Sequence, residues 1–155
     1  MNAISQDLSI NHNQITCDTD LPIPSLEQIK KLQEALIEFQ CEPPEPQHFF
    51  APGMYLRSLT IPAGQLLTGK IHRHAHFMMV LKGKAEVISE FGRGVVEAGH
   101  ISISPAGAKR VVLTIEDTQF VTVHLNESNT QDLEIIEKEH IEPEETNQLI
   151  QRAPQ

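Results

Sequence analysis

The chain has 155 residues, which is enough for one domain with a single hydrophobic core. Its formal net charge of -9 argues against binding to nucleic acid or to an anionic membrane surface, since both are negatively charged. No apolar run approaches the ~18 residues of a membrane-spanning helix, and the first residues predict no secretory signal. Cys17 and Cys41 lie in separate segments without Cys-x-x-Cys spacing, which predicts reduced thiols and a cytoplasmic protein.

The N-terminal third of the chain contains one predicted helix. Residues 1–24 are polar and aperiodic, which predicts a flexible arm. Residues 25–53 comprise a predicted helix over 25–40, in which Ser25 and Gln28 have the spacing of a capping box, and a proline-rich linker. Apolar side chains recur at helical spacing and predict an amphipathic helix: Leu26, Ile29, Leu32, Leu36 and Phe39.

Residues 54–126 carry short β-rich stretches separated by turn signals, with no helical pattern between them. This arrangement predicts a β-sandwich or barrel. The predicted strands are 54–61, 66–82, 84–90, 94–97, 101–104, 110–115 and 119–126. Residues 127–155 return to helical spacing with many acidic side chains. They predict a short C-terminal helix, capped by Thr130, and a polar tail.

Three of the eight histidines occupy alternate positions on the predicted strand 66–82, namely His72, His74 and His76. Because side chains of a strand alternate between two faces, all three imidazoles are predicted to point to one side. Neighbouring imidazoles would lie about 6.6 Å apart, and His72 about 13 Å from His76. Such a cluster favours a metal site, while a polar hydrogen-bond network and a solvent-facing row are the alternatives.

The glycine and proline positions resemble the two motifs of the cupin superfamily. The first motif, G-x5-H-x-H-x3-E-x6-G, is matched in frame by Gly64, Lys70, His72, His76 and Gly83. The second motif, G-x5-P-x-G-x2-H-x3-N, is matched in frame by Gly99, Pro105, Gly107, Arg110 and Thr114. The resemblance implies a mainly β fold, a single small double-stranded β-helix (cupin jelly-roll) barrel. An N-terminal amphipathic helix and a short C-terminal helix with an acidic tail would flank it.

A narrower resemblance, from the helix at Ser25 to His124, is to small phage-encoded cupin-like proteins of unknown function. The shared features are Tyr-x-Arg at 55–57, Gly-Lys-Ile-His-x-His-x-His at 69–76, Ser-Pro-x-Gly-x-Lys-Arg at 104–110 and Glu-Asp-Thr at 116–118 before Thr-x-His at 122–124. This resemblance implies a phage accessory protein located in the host cytoplasm. The cupin resemblance also implies a homodimer.

The four metal-ligand positions of the cupin motifs fall on Lys70, His72, His76 and Arg110 in this sequence. Lysine and arginine are cations at neutral pH and poor metal ligands, so the usual cupin site is incomplete. His74 and His124, the latter on the predicted strand 119–126, are the candidate replacements. A ligand set drawn from the four histidines predicts a divalent ion of Zn, Fe, Mn or Ni.

Cationic side chains near the predicted barrel mouth form a second candidate site, for a small anionic molecule. Lys70, Arg110 and Arg57 are candidates to bind its carboxylate or phosphate, and Lys109 is a further one. For Arg57 and Lys109 the alternative, a solvated position at the surface, is favoured. Two functions stay open. One is a metal-binding protein, with or without enzymatic activity on a small molecule. The other is a metal-free, non-catalytic module that sequesters a small anion, and no catalytic residue is assigned in either.

Overall fold

The structure is a computed structural model that describes residues 22–36 and 44–143. Most of the predicted arm, both cysteines, the first linker residues and the polar tail lie outside the described residues. Within them the chain forms two helices and nine strands. The helices are α1 (Leu26–Leu36) and α2 (Leu133–His140). The strands are β1 (Gln47–Ala51), β2 (Met54–Ile61), β3 (Leu66–Thr68), β4 (His76–Lys82), β5 (Lys84–Ser89), β6 (Gly92–Glu97), β7 (Ile101–Ser104), β8 (Arg110–Thr114) and β9 (Thr118–Leu125).

Helix α1 begins at the predicted capping box. The Gln28 N–H donates to Ser25 Oγ at 3.2 Å, and the Ser25 N–H donates to Gln28 Oε1 at 2.8 Å. The buried side chains are Ile29 and Gln33, four residues apart on one face, whereas Leu32 is 37% exposed. Of the predicted apolar side chains that the structure describes, Ile29 is buried and Leu26 half-buried, whereas Leu32 is exposed. Neither helix within the described ranges is long and apolar enough to cross a membrane.

The strands pair in a nested antiparallel order that defines the fold. β2 pairs with β9, β3 with β8, β4 with β7 and β5 with β6. Among the eight strands from β2 to β9, the first thus pairs with the last and the second with the second-last. This nested pairing is typical of a jelly roll. The sheets have the strand orders β1-β2-β9-β4-β7 and β3-β8-β5-β6. The predicted mainly β, double-stranded β-helix fold is confirmed.

The core lies between the two sheets. Its buried cluster consists of Ile61, Met78, Val80 and Phe120 from the five-stranded sheet and Ala85, Val87 and Val96 from the four-stranded sheet. Burying each of these larger side chains contributes about 1.5–3 kcal/mol. His76 has the same strand parity as Met78 and Val80, and His124 the same parity as Phe120. Both histidines therefore extend the inward-facing rows beyond the apolar core.

The single predicted strand 66–82 is wrong, because the chain changes sheets within it. β3 ends at Thr68 in the four-stranded sheet, and β4 begins at His76 in the five-stranded sheet. The loop 69–75 makes this crossing, and its backbone bonds to other segments. The Gly69 N–H donates to the Arg110 carbonyl at 2.9 Å, and the Arg73 N–H donates to the His140 carbonyl at 2.8 Å.

The sequence does not predict strand β1, which lies in the segment 25–53 expected to hold a helix and linker. β1 pairs along its whole length with β2 across a turn at Pro52 and Gly53. Gly53 has a φ of 75°, a conformation that glycine adopts without steric cost. The prolines at 43, 44 and 46 precede β1 and indicate a linker, which is why the short strand is missed.

Candidate metal centre

Two of the predicted histidines meet on adjacent strands of the five-stranded sheet. His76 begins β4 and His124 lies near the end of β9, and these two strands are hydrogen-bonded neighbours. Their ring centroids are 4.5 Å apart with an angle of 27° between the ring planes. Both side chains are buried, with 5% exposure for His76 and 6% for His124. The sheet register therefore brings together two imidazoles that are far apart in sequence.

The third histidine, His72, comes from the crossover loop rather than from a strand. Its ring centroid lies 4.3 Å from that of His76 and 5.2 Å from that of His124. The predicted separation of about 13 Å between His72 and His76 is wrong, because the loop folds back over the start of β4. The Gly107 N–H donates to the His72 carbonyl at 2.9 Å, and an antiparallel bridge joins His72 to Ile141. These two contacts hold the loop in place.

The three rings form a group with the dimensions of a metal site. One nitrogen from each of His72, His76 and His124 lies within 4.8 Å of the other two. The Nδ1 of His76 is 3.4 Å from the His74 carbonyl, which can only accept, so a hydrogen bond between them requires the proton on Nδ1 and leaves the lone pair on Nε2. The Nε2 of His124 is 2.9 Å from Thr122 Oγ1. The donor set fits a divalent transition metal with coordination positions left for water or a ligand.

His74 is not part of this group. Its side chain is exposed, and its ring lies edge-on to that of His140 at a centroid distance of 6.3 Å. The prediction that His72, His74 and His76 point to one side is therefore wrong for His74. The cause is the loop, because period-two alternation applies only to residues in a strand.

All three clustered imidazoles are neutral at physiological pH. Burial lowers the pKa of His72 to about 2, of His76 to about 4 and of His124 to about 3. Nearby positive charge adds to the effect of burial. Arg110 lowers the pKa of His72 and His76, and Arg57 lowers the pKa of His72 and His124. A neutral imidazole is the form that binds a metal, so the site requires no proton release before an ion enters.

The arginines near the histidine cluster are partly buried, and each feels the charge of a carboxylate. Burial lowers the pKa of Arg110 to about 10, and Glu90 partly offsets that shift. Burial also lowers the pKa of Arg57, with Tyr55 and Glu137 opposing it. Among the described residues neither guanidinium forms an ion pair, and Arg110 Nη1 lies 3.4 Å from Met78 Sδ. Both guanidinium groups therefore add positive charge beside the cluster.

The two lysines named from the sequence lie elsewhere. Lys70 forms an ion pair with Glu137 of α2, and both side chains are about 40% exposed. Its charge is therefore already compensated, although the residue lies in the loop that carries His72. Lys109, predicted at the surface, is fully buried instead, and its backbone N–H lies 3.2 Å from Glu90 Oε2.

Sequence reasoning missed the aromatic and imidazole neighbours of the cluster. Tyr55 is opposite His124 in the sheet register and stacks on its ring at 5.6 Å. The Tyr55 hydroxyl is 2.7 Å from Nδ1 of His48 on β1. His140 of α2 is buried, with its ring 5.4 Å from that of His124. The spacing of the buried residues Ile136 and His140, four positions apart on one helical face, is the sequence signal that could have indicated His140.

The nested strands and the inward-facing histidines define a jelly-roll protein with a candidate metal centre inside one end of the barrel. No protein-family model matches the chain, and no curated protein matches it.

Solved structures with a similar fold are found. One is a cupin-2 domain protein from Shewanella frigidimarina, with 8% identity, a TM-score of 0.46 and coverage of 60% of this chain and 91% of that chain. A cupin 2 conserved barrel protein from Salinispora arenicola gives 20% identity, a TM-score of 0.47 and coverage of 56% and 78%. A double-stranded β-helix protein from Klebsiella pneumoniae gives 19% identity, a TM-score of 0.49 and coverage of 59% and 84%. At these values the likeness has no bearing on function, and the fold assignment depends on the strand order.

Proposed function

We propose that the barrel binds one divalent transition-metal ion through His72, His76 and His124. The observation that carries this proposal is the mutual approach of three ligand nitrogens to within 4.8 Å. The lowered pKa values support it, because all three rings are available as neutral ligands near pH 7. The ligand chemistry suits Zn, Fe, Mn or Ni. A bound ion would polarise an oxygen atom of a molecule held beside it.

The molecule bound beside the ion is proposed to be a small anion, with a carboxylate or phosphate group. Arg57 and Arg110 support this part of the proposal, since each is partly buried, close to the histidines and without an ion-pair partner among the described residues. A planar guanidinium binds such a group through two parallel hydrogen bonds. Lys70 would contribute only after leaving Glu137.

Metal titration tests the proposal directly. Protein freed of metal by a chelator should take up about one Ni²⁺ or Zn²⁺ per chain. At a metal concentration about 100-fold above Kd, its melting temperature should rise by roughly 5–10 °C. Because the rings are already neutral, the affinity should change little between about pH 5 and pH 8. Uptake below about 0.2 ion per chain with no thermal shift would remove the proposal. A steep loss of affinity below about pH 6.5 would contradict the assignment to buried rings.

The two arginines beside the cluster also favour a second candidate function, a metal-free module that sequesters a small anion. The same titration separates the two candidates when acetate or inorganic phosphate is added to chelated and to metal-loaded protein. Equal anion affinity in both forms would favour the metal-free module. Tighter binding to the loaded form would favour an anion that contacts the ion.

The subunit arrangement is proposed to be a homodimer formed through the outer face of the five-stranded sheet. Phe49 and Phe77 are both 52% exposed on this face, and the register aligns them through Leu56 and Val123. A row of exposed apolar side chains on a sheet is typical of an interface. The particle mass measured by light scattering should correspond to two chains, and a monomer across the micromolar range would overturn this assignment.

We further propose that the protein is a phage accessory protein located in the host cytoplasm.

A further inference from the structure

Helix α2 ends beside the histidine cluster and is attached to the loop that carries His72. The Arg73 N–H donates to the His140 carbonyl at 2.8 Å, and the Glu142 N–H donates to the Ile71 carbonyl at 2.9 Å. The bridge between His72 and Ile141 lies between these two bonds. The backbone of His140, the last residue of α2, is thus held in position relative to the cluster.

The His140 side chain has an unsatisfied nitrogen inside this region. The residue is 8% exposed, and its Nε2 is buried with no hydrogen-bond partner within residues 22–36 and 44–143. Its ring neighbours are His124 at 5.4 Å, His74 at 6.3 Å and Tyr55 at 6.4 Å, measured between centroids. Buried polar atoms of native proteins nearly always have a partner, so this nitrogen points to a missing one.

His140 is adjacent to the proposed ligand set without belonging to it. The group of nitrogens within 4.8 Å of one another contains His72, His76 and His124 only, among the described residues. Three protein ligands leave at least one coordination position of the ion open to water or a small molecule. A molecule in that position would lie between the ion and the surrounding side chains, where a further imidazole can donate or accept a hydrogen bond.

We propose that His140 binds, through Nε2, the molecule that occupies the open coordination position of the ion. This inference rests on the metal-binding function proposed above and adds a binding residue supplied by the C-terminal helix. It assigns the metal affinity to the three ligand histidines and part of the affinity for the bound molecule to His140. The molecule belongs to the class of small oxyanions, because Arg57 and Arg110 adjoin the same cluster.

The test separates these two affinities with acetate as the probe. Co²⁺-loaded protein is titrated with acetate, and the visible absorption of Co²⁺ reports its binding. The His140→Phe variant keeps the ring volume but has no nitrogen. It should bind Co²⁺ within about twofold of the unsubstituted protein and acetate at least about tenfold more weakly. His140→Gln should recover part of the acetate affinity, because its amide can also hydrogen-bond.

His100→Phe is the matched control. His100 also has a buried Nε2 without a partner in the described part of the chain, but its ring contacts no member of the cluster there. Both affinities of this variant should match those of the unsubstituted protein. Acetate affinity unchanged in His140→Phe would overturn the inference, as would an equal loss of Co²⁺ and acetate binding. A protein that takes up no Co²⁺ would instead remove the proposed function.

A second measurement does not depend on the folding of any variant. In Zn²⁺-loaded protein with ¹⁵N-labelled histidine, acetate should shift the ring-nitrogen resonances of His140 and leave those of His100 in place. Equal shifts for the two residues, or no shift for His140, would overturn the inference even if His140→Phe does not fold.

Discussion

His124→Ala is expected to weaken the binding of Zn²⁺ or Ni²⁺ by more than about 100-fold, beyond the 10–100-fold typical of losing an outer-shell partner. The reason is that His124 supplies one of the three nitrogens clustered among the described residues, on a strand distant in sequence from the other two. The matched control is His74→Ala, which removes an imidazole from the same loop as His72. Since the His74 side chain is exposed and outside the cluster, its variant should retain metal affinity within about twofold. Isothermal titration calorimetry at pH 7 measures both values.

The comparison decides between two ligand sets. Retention of affinity in His124→Ala with loss in His74→Ala would place the ion on the alternating histidines of the loop and β4. That result would support a ligand set of alternating histidines without His124 and contradict the cluster. Circular dichroism of both variants confirms that any loss of binding does not reflect unfolding.

Gly83→Ala is expected to cost about 3 kcal/mol or more in free energy of unfolding. Gly83 lies between β4 and β5 with a φ of 86°, a region that side chains disfavour. A Cβ at this position would be 2.2 Å from the Asp117 carbonyl oxygen and 2.7 Å from the Thr118 Cα. Both are backbone atoms, so the turn before β9 would have to move. Urea denaturation monitored by far-UV circular dichroism measures the loss.

Gly53→Ala provides the control for backbone conformation alone. Gly53 has a similar φ of 75°, but a Cβ there would meet nothing within 4 Å. Its variant should lose only about 1–2 kcal/mol, the cost of the left-handed conformation for a residue with a side chain. If the two substitutions destabilise the protein equally, the close approach of the Asp117 backbone to Gly83 contributes nothing.

The jelly-roll fold could be predicted from the sequence because turn residues mark most of its strand ends. The glycines at 83, 99 and 107 all have positive φ, so the chain needs them at those turns. The strand boundaries that the sequence did not predict, within 66–82 and before residue 54, depend on which sheet each strand joins. That choice is made by long-range pairing, which local periodicity does not encode.

The candidate site was predictable only in part. Strand parity placed His76 and His124 inside the barrel, and both are buried there. His72 reached the cluster for a different reason, through a loop held by Gly107 and Ile141. The role of α2 was not predicted, because a helix that follows the barrel carries no local sign of where it packs.

The bridge between His72 and Ile141 would couple the C-terminal segment to binding of the proposed ion. Binding of that ion through His72 would favour the docked state of residues 137–142, and docking would in turn raise the affinity for the ion by the same factor. Binding of the ion would thereby slow amide hydrogen exchange in α2. A partner that captured α2 would, by the same reciprocity, promote release of the ion.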